Sequence, residues 1–337
     1  MRFRFLRRYL IPRLLQYVLV TWLGVTVVFL LPRLAPIGPV ERMVANIEAR
    51  GEYLDPRAAE RTVELVREMY GLEGGLLSQY GAFWQRLAGG DFGPSLVSFP
   101  VPVMELIGRS LPWTLGLLLT TTVLVFVIGN ISGGLAGYFR RSRIMKILDG
   151  IAMVLAPIPY YIVALILIIL FAYLLPIFPA GGGYTIGARL GFTWASVRNL
   201  LRHAFLPALS LVLLGSAVNH QIMRLMAQGV REEDYVRYAK IGAVPERMIF
   251  MRYVMRNAML PQITRFALGF SVLFSGALVT EIVFAYPGIG LLAYRAILAS
   301  DYNMLMGITT LSVVVLTTST LLMDLLNPLF DPRIRLT

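Results

Sequence analysis

Six apolar stretches, each close to the length of a membrane-spanning helix, constrain this chain more than any other feature of its sequence. A helix needs about 20 apolar residues to cross about 30 Å of hydrocarbon. In lipid, only helices and closed barrels satisfy their own backbone hydrogen bonds, and these stretches lack the alternation of barrel strands. They predict an all-α integral membrane protein with six transmembrane helices, at Leu14–Leu31, Leu111–Leu135, Ile151–Phe178, Ala204–Met226, Ile263–Tyr286 and Met304–Leu326.

The composition agrees with a membrane protein. Charged residues make up 15% of the chain and hydrophobic residues 57%, whereas a soluble domain carries about 25% charged residues. The chain contains no cysteine, which excludes a disulfide or a thiolate metal site. No metal site is expected, because His203 and His220 are the only histidines.

The placement of basic residues predicts the orientation in the membrane. Short cytoplasmic loops of membrane proteins carry an excess of Lys and Arg. Basic residues here are concentrated before the first helix, in the short loop after the second, between Arg224 and Arg265, and in the tail. With six spans, all four regions fall on one side. We therefore expect a multi-pass protein of the cytoplasmic (inner) membrane with both termini in the cytoplasm.

The same topology predicts three parts along the chain. Residues 1–32 form a cytoplasmic arm and the first helix, residues 33–110 an external loop region, and residues 111–337 a core domain with five transmembrane helices. Within the external region, Pro56–Tyr70 is predicted as a helix with Asp55 as its N-cap. The glycine-rich run Gly89–Pro94 predicts a turn.

The segment between the fourth and fifth spans is predicted to form two short cytoplasmic helices. Acidic residues 232–234 suit the opening turn of the first, where the helix dipole favours negative charge. Gly242 is a plausible stop, Pro245 a plausible first residue of the second helix, and Pro261 a point where that helix should bend or end. Helical spacing places one set of residues on a single face, namely Tyr235, Tyr238, Ala239 and Gly242. On spacing alone, a solvated cytoplasmic loop with basic residues against the lipid headgroups is the favoured interpretation.

This segment resembles the cytoplasmic coupling loop of ABC importer permeases, named for its Glu-Ala-Ala-x-x-x-Gly pattern. The closer similarity is to the dipeptide/oligopeptide/nickel subfamily, and within it to the first of its two permease subunits. Motifs that carry the resemblance occur in the same order along the chain, at Gly90–Leu96, Ser110–Thr114, Glu233–Ala239, Glu246–Arg247, Arg252–Pro261, Glu281–Gly290, Ala296–Tyr302 and Asp324–Arg335.

The chain departs from the family pattern in the loop itself. Where the family usually has Lys-Gly, this sequence has Gly242-Ala243, so either the turn moves by one residue or Ala243 takes the place of the glycine. Tyr253 stands where a histidine is common. The external loop after the first helix is longer than in many relatives.

The resemblance implies a passive subunit driven by partners. Two permeases pair in the membrane, each places a coupling helix in a groove of a cytoplasmic ATPase, and an external solute-binding protein delivers the substrate. ATP and Mg²⁺ are expected on the ATPase subunits and no cofactor on this chain, which contains no Gly-x-x-x-x-Gly-Lys phosphate-binding motif. The residues that the resemblance assigns to ATPase coupling are Asp234, Tyr235, Arg237, Tyr238, Ala239, Gly242, Ala243, Glu246 and Arg247.

Polar residues inside the predicted spans are candidates for the translocation pathway. Asn219, His220 and Gln221 lie within the fourth span and Glu281 near the outer end of the fifth. Intramembrane polar groups face a water-filled path or hydrogen-bond neighbouring helices, and both interpretations stay open. Two structural features are also predicted, a kink at Pro157 and Pro159 and close helix contact along Gly129, Gly133 and Gly137.

Several functions are consistent with this sequence. The leading hypothesis is an importer permease for oligopeptides, driven by alternating access, and the same machinery importing short oligosaccharides is the alternative. A secondary transporter or channel is a hypothesis from a different class, which predicts membrane-centred ionisable residues that are few here. A membrane enzyme is disfavoured, since the sequence contains neither Gly-x-Ser-Gly nor His-Glu-x-x-His. No catalytic residue is predicted.

Overall fold

The described part of the chain folds into α-helices. The computed structural model describes residues 10–34, 64, 74–96, 98–188, 191, 193–269 and 277–330, and no β-strand lies among them. The predicted all-α class is confirmed. In chain order the helices are α1 (Ile11–Leu34), α2 (Leu76–Ala88), α3 (Val103–Tyr138), α4 (Arg143–Leu155), α5 (Tyr160–Ile168), α6 (Trp194–Arg231), α7 (Asp234–Ile241), α8 (Glu246–Met248), α9 (Arg256–Gly269), α10 (Leu278–Val283), α11 (Ile289–Ala299) and α12 (Tyr302–Phe330).

Four helices in the described residues are long and apolar enough to cross a membrane, and a bent helix pair raises the number to five. The helices α1, α3, α6 and α12 correspond to the first, second, fourth and sixth predicted spans. The third corresponds to the bent pair. The fifth predicted span contains residues 270–276, which lie outside the described residues. The six-span topology and the three-part division that follows from it therefore stay predictions.

The third predicted span is broken at its prolines. The helix α4 ends at Leu155, and α5 begins at Tyr160 and continues as a π-helix from Ile169 to Leu174. The two parts meet at 104°. Proline lacks the N–H that a helix interior needs and its ring clashes with the preceding turn. Two prolines, at 157 and 159, therefore produce a sharper change than the predicted kink.

The chain divides into two compact units. The first comprises Met1–Pro112 and Gly288–Thr337, and the second comprises Trp113–Pro287. In the first unit, α1 packs along α12. A Cβ atom added to Gly24 would lie 2.7 Å from a methyl group of Val313, so glycine permits this close approach. The hydroxyl of Thr21 donates to that of Thr317 over 3.0 Å, which satisfies both hydroxyls inside an apolar helix pair.

A buried carboxylate orders the start of α12 in the same unit. Asp301 accepts a hydrogen bond from the hydroxyl of Ser95 over 2.6 Å, and its other oxygen accepts from the backbone N–H of Met304 over 3.0 Å. Asp301 and Ser95 are both fully buried. The second bond is an N-cap, which satisfies a backbone donor that the helix leaves open.

Two helices of the first unit occupy segments that the sequence assigned to loops. The helix α2 is amphipathic and places Tyr80 and Phe83 against Phe29, with ring centroids 5.1 and 5.4 Å apart. The helix α11 is 11 residues long, too short to be recognised as a span. The predicted turn that follows α2 is confirmed, because Gly90 and Gly93 have positive φ angles of 69° and 78°. The helix predicted at Pro56–Tyr70 lies outside the described residues, except for residue 64, which is helical.

In the second unit, α3 and α6 touch backbone to backbone along the three predicted glycines. A Cβ atom on Gly133 would lie 2.3 Å from the carbonyl oxygen of His220, and one on Gly137 would lie 2.5 Å from that of Arg224. A Cβ atom on Gly129 would lie 2.5 Å from the Cβ atom of Asn219. No side chain fits in these spaces. The predicted contact of small residues is confirmed.

We expect Gly133→Ala to destabilise the α3–α6 contact, because the new methyl group meets a backbone carbonyl that cannot move alone. Overpacking of this kind costs about 1–3 kcal/mol. Gly116→Ala is the matched control, since it lies in the same helix with no atom within 4 Å of the added Cβ. Thermal unfolding in detergent should show a lower midpoint for Gly133→Ala only. Equal midpoints for the two variants would contradict the contact.

Candidate functional site

The candidate site begins where α6 ends. The helix α6 stops at Arg231, Glu232 is its C-cap, and α7 starts two residues later with Glu233 as N-cap and Asp234 in the first turn. The predicted first short helix is confirmed at 234–241. The opening acids are divided between the two helices, because Glu232 belongs to the end of α6 and does not lie in α7.

The inward face of α7 is apolar and packs on its own unit. Val236 is fully buried and Ala239 is 8% exposed. Both belong to a cluster with Met223 and Ala227 of α6 and with Phe250. Residues three apart share a helix face, so this pair fixes which side of α7 points inward.

The outward face of α7 carries large side chains. Tyr238 is 72% exposed and Ile241 is 81% exposed, while Tyr235 is 40% exposed and accepts a hydrogen bond from Asn257 over 3.1 Å. The prediction that Ala239 shares a face with Tyr238 is wrong, because Ala239 takes the buried position beside Val236 while Tyr238 is exposed. The predicted part of these residues in ATPase coupling stays a prediction.

The turn after α7 shows which residue replaces the family glycine. Ala243 adopts a left-handed conformation with φ of 51°, whereas Gly242 has φ of −75°. The N–H of Val244 donates to the carbonyl of Ala239 and the N–H of Ala243 to that of Lys240, each over 3.1 Å. These two bonds define a Schellman motif, in which the left-handed position is usually glycine. Ala243 therefore takes the glycine's place.

The next helix begins directly after the turn. Pro245 is the N-cap of α8, and the helix continues through a π-helical stretch, Ile249–Met255, into α9. Pro261 lies inside α9, so the helix does not end there, and the alternative that it bends at Pro261 stays a prediction. Glu246 and Arg247 are both exposed at the helix start. Arg237 is also exposed, with its guanidinium 3.7 Å from the carboxylate of Asp234.

Tyr138 joins the end of α3 to this segment, and sequence reasoning missed it. Its hydroxyl donates to a carboxylate oxygen of Glu246. The cationic groups of Arg231 and Lys240 lie 5.6 and 5.5 Å from its ring centre, within the range of cation–π attraction. One indication of its importance was available in the sequence, because Tyr138 directly follows Gly137, the last of the three contact glycines.

The polar triplet of α6 forms hydrogen bonds to neighbouring helices. His220 is 3% exposed, with Nε2 2.8 Å from a carboxylate oxygen of Asp149 and Nδ1 3.0 Å from the hydroxyl of Ser132. Gln221 donates to the backbone carbonyl of Ala152 over 3.0 Å. This geometry supports the interhelical interpretation for both residues.

The carboxylate of Asp149 also contacts Arg224, which lies one turn further along α6. Arg224 approaches the second oxygen of Asp149 at 3.3 Å. Asp149 on α4 thus accepts from two α6 side chains one turn apart. In this partly buried site, removal of Arg224 would leave the carboxylate without its arginine partner, which is costly. Asn219 is half-buried and lies against Gly129.

Glu281 is fully buried in α10 rather than open to a channel. One carboxylate oxygen accepts a hydrogen bond from the hydroxyl of Thr114 over 2.7 Å. The helix ends in a second Schellman motif, with Ala285 left-handed at φ of 45°. The predicted place of Glu281 in the translocation pathway or its gate stays a prediction.

Comparison with known proteins identifies relatives over almost the whole chain. Residues 129–336 match the family described as binding-protein-dependent transport system inner membrane component. The chain is 31% identical to the oligopeptide transport system permease protein AppB of Bacillus subtilis, covering 97% of this chain and 98% of that protein. It is 28% identical to the oligopeptide transport system permease protein OppB of Salmonella typhimurium, covering 97% and 99%. A putative peptide permease of Brucella suis is 30% identical, covering 92% and 93%.

We expect Ala243→Gly to stabilise the segment, because the left-handed conformation costs a non-glycine residue about 1–2 kcal/mol. Gly242→Ala, one residue away, should be close to neutral, since its φ suits any residue and an added Cβ meets no atom closer than 3.4 Å. Amide hydrogen exchange over 234–248 should slow in the first variant alone. Slower exchange in Gly242→Ala than in Ala243→Gly would contradict the assignment of the turn.

Proposed function

The chain belongs to the family of binding-protein-dependent transport system inner membrane components, and on that premise we propose that it forms one half of the channel of an oligopeptide importer. It is a multi-pass inner-membrane protein and a permease, not a catalytic subunit. The extent of similarity to the oligopeptide permeases, at 97% of the chain, supports a peptide substrate over a short oligosaccharide.

The coupling role is supported by the two different faces of α7, one buried against its own unit and the other exposed to solvent. Val236 and Ala239 anchor the helix, while Tyr238 and Ile241 leave most of their surface in solvent. Burying one such apolar side chain contributes about 1.5–3 kcal/mol. An amphipathic helix with exposed anchors fits a groove in a partner, and we assign that groove to the cytoplasmic ATPase.

The contacts of α7 define how movement of the ATPase reaches the membrane. The buried face touches α6 through Met223 and Ala227. The following turn is tied to the end of α3 through the bond between Tyr138 and Glu246. A displacement of α7 would therefore move the ends of α3 and α6 together. In our proposal this switches the channel between inward- and outward-facing states.

The proposed importer requires further subunits. A binding-protein-dependent ABC system implies ATPase partners and a solute-binding protein. In our proposal there are two ATPase subunits, which bind ATP and Mg²⁺, and a second homologous permease completes the channel. The solute-binding protein delivers the peptide on the opposite side.

The length of α6 supports the proposed topology. It contains 38 residues, which is about 57 Å at 1.5 Å per residue. This exceeds the thickness of about 40–45 Å of a bilayer with its headgroups, so α6 is long enough for its two ends to reach opposite sides. With the coupling segment in the cytoplasm, the loop before α6 is external. Six spans with both termini inside complete the arrangement.

We expect Ile241→Ser and Tyr238→Ser to uncouple ATP hydrolysis from uptake, because each removes an exposed anchor without touching the buried face. Peptide uptake should fall about tenfold, the effect of losing about 1.4 kcal/mol at the contact. Ile144→Ser is the matched control, since Ile144 is 66% exposed on the same proposed side but outside the segment. Arg247→Glu, at an exposed charge, should have a smaller effect.

Expression, ATPase co-purification and uptake need to be measured on the same membranes. Ala239→Trp is expected to lower expression or assembly, because it overpacks a buried contact. Normal uptake in both serine variants, at normal expression, would show that this face does not touch the ATPase.

A further inference from the structure

A cleft of about 660 Å³ opens beside the first turns of α6. The segment before the helix forms one wall, from Pro176 to Thr185, and α6 forms the other. Arg198 and Arg202, one helical turn apart, are both exposed on the α6 wall, with the half-buried His203 next to them. The cleft therefore presents two guanidinium groups to solvent.

The two walls of the cleft are held together by specific contacts. Asn199 accepts from the backbone N–H of Thr185 over 3.0 Å and is 2.9 Å from its hydroxyl. Arg202 donates to the carbonyl of Ile177 over 2.7 Å. The rings of Phe178 and Phe205 stack with centroids 4.5 Å apart. A shape fixed before binding reduces the ordering cost of association.

No ion pair within the described residues neutralises the charge of Arg198 or Arg202. The sequence contains no Asp or Glu between Asp149 and Glu232. The ion pairs found among the described residues involve other arginines. Short loops on the external side usually carry few basic residues, so membrane topology does not account for Arg198 and Arg202.

The large apolar side chain of Trp194 lines the cleft together with the arginines, and Ile186 follows the lining residue Thr185 in the sequence. Trp194 at the first residue of α6 is 78% exposed, and Ile186 is 99% exposed. Tryptophan and arginine are enriched among the residues that carry most of the energy in protein interfaces. Guanidinium groups bind carboxylates through paired, charge-assisted hydrogen bonds. The combination fits an acidic protein surface with an apolar contact at its side.

We propose that this cleft is the docking site for an acidic patch on the extracytoplasmic solute-binding protein. The assignment rests on the proposed function, which places the cleft on the external side, at the opposite end of α6 from α7. Binding here would bring the protein that carries the substrate onto the helix whose other end meets the coupling segment.

The test measures binding of the labelled solute-binding protein to the full transporter complex in nanodiscs of phosphatidylcholine alone. Replacing both Arg198 and Arg202 by Gln should weaken affinity by about three- to tenfold, from two partly screened ion pairs. The loss should lie mainly in the association rate, with a smaller dependence on salt. Arg109→Gln is the control, since this exposed external arginine already pairs with Glu105.

Two outcomes would overturn the proposal. Unchanged affinity and salt dependence in the double variant would overturn it. A loss that appears only in nanodiscs with anionic lipid would show that the cleft binds headgroups, which also overturns it. Adding Trp194→Ala to the double variant should weaken affinity further. If affinity does not fall further, Trp194 is not part of the docking surface.

A separate measurement distinguishes failure of docking from failure of the proposed function. An impermeant maleimide should label Ile186→Cys from outside in this naturally cysteine-free chain. Internal labelling would overturn the topology and the docking site together. External labelling, with ATP-dependent uptake intact and binding unchanged in the double variant, would overturn docking alone.

Discussion

The contact of α3 with α6 along three glycines is the constraint on which the second unit depends. Because a Cβ atom at Gly133 or Gly137 would overlap backbone carbonyls of α6, only glycine allows this separation. The contact ends one residue before Tyr138, which it places against Glu246 and among the side chains that bury the inner face of α7. A wider spacing of the two helices would remove Tyr138 from the coupling segment.

Polar bonds complement this close packing. In a membrane helix, association depends on van der Waals contact and interhelical hydrogen bonds, because lipid offers no hydrophobic driving force. Asp149 fixes α4 to α6 through His220 and Arg224, and Thr114 meets Glu281 in a buried pair. These hydrogen bonds join neighbouring helices in a chain with few charges, which indicates a structural role for the residues.

Sequence could predict the features that depend on length or on one residue type. The apolar runs predicted the long helices, Pro157 and Pro159 the break between α4 and α5, and the glycine spacing the α3–α6 contact. Short elements were missed, since the 11 residues of α11 resemble a loop between spans. The inward side of α7 was also misassigned, because Ala239 suits either face of an eight-residue helix and only its contacts with α6 and Phe250 decide. The tertiary bonds of Tyr138 and Asp149 had no local signal.

The central claim is that α7 packs on α6, is linked to the end of α3, and meets the ATPase with its outer face. Site-specific cross-linking tests it most directly, because the chain has no cysteine of its own. A single cysteine at Ile241 should cross-link to an ATPase subunit in the assembled transporter, while one at the buried Val236 should not. Formation of the cross-link from position 236 and its absence from position 241 would contradict the account.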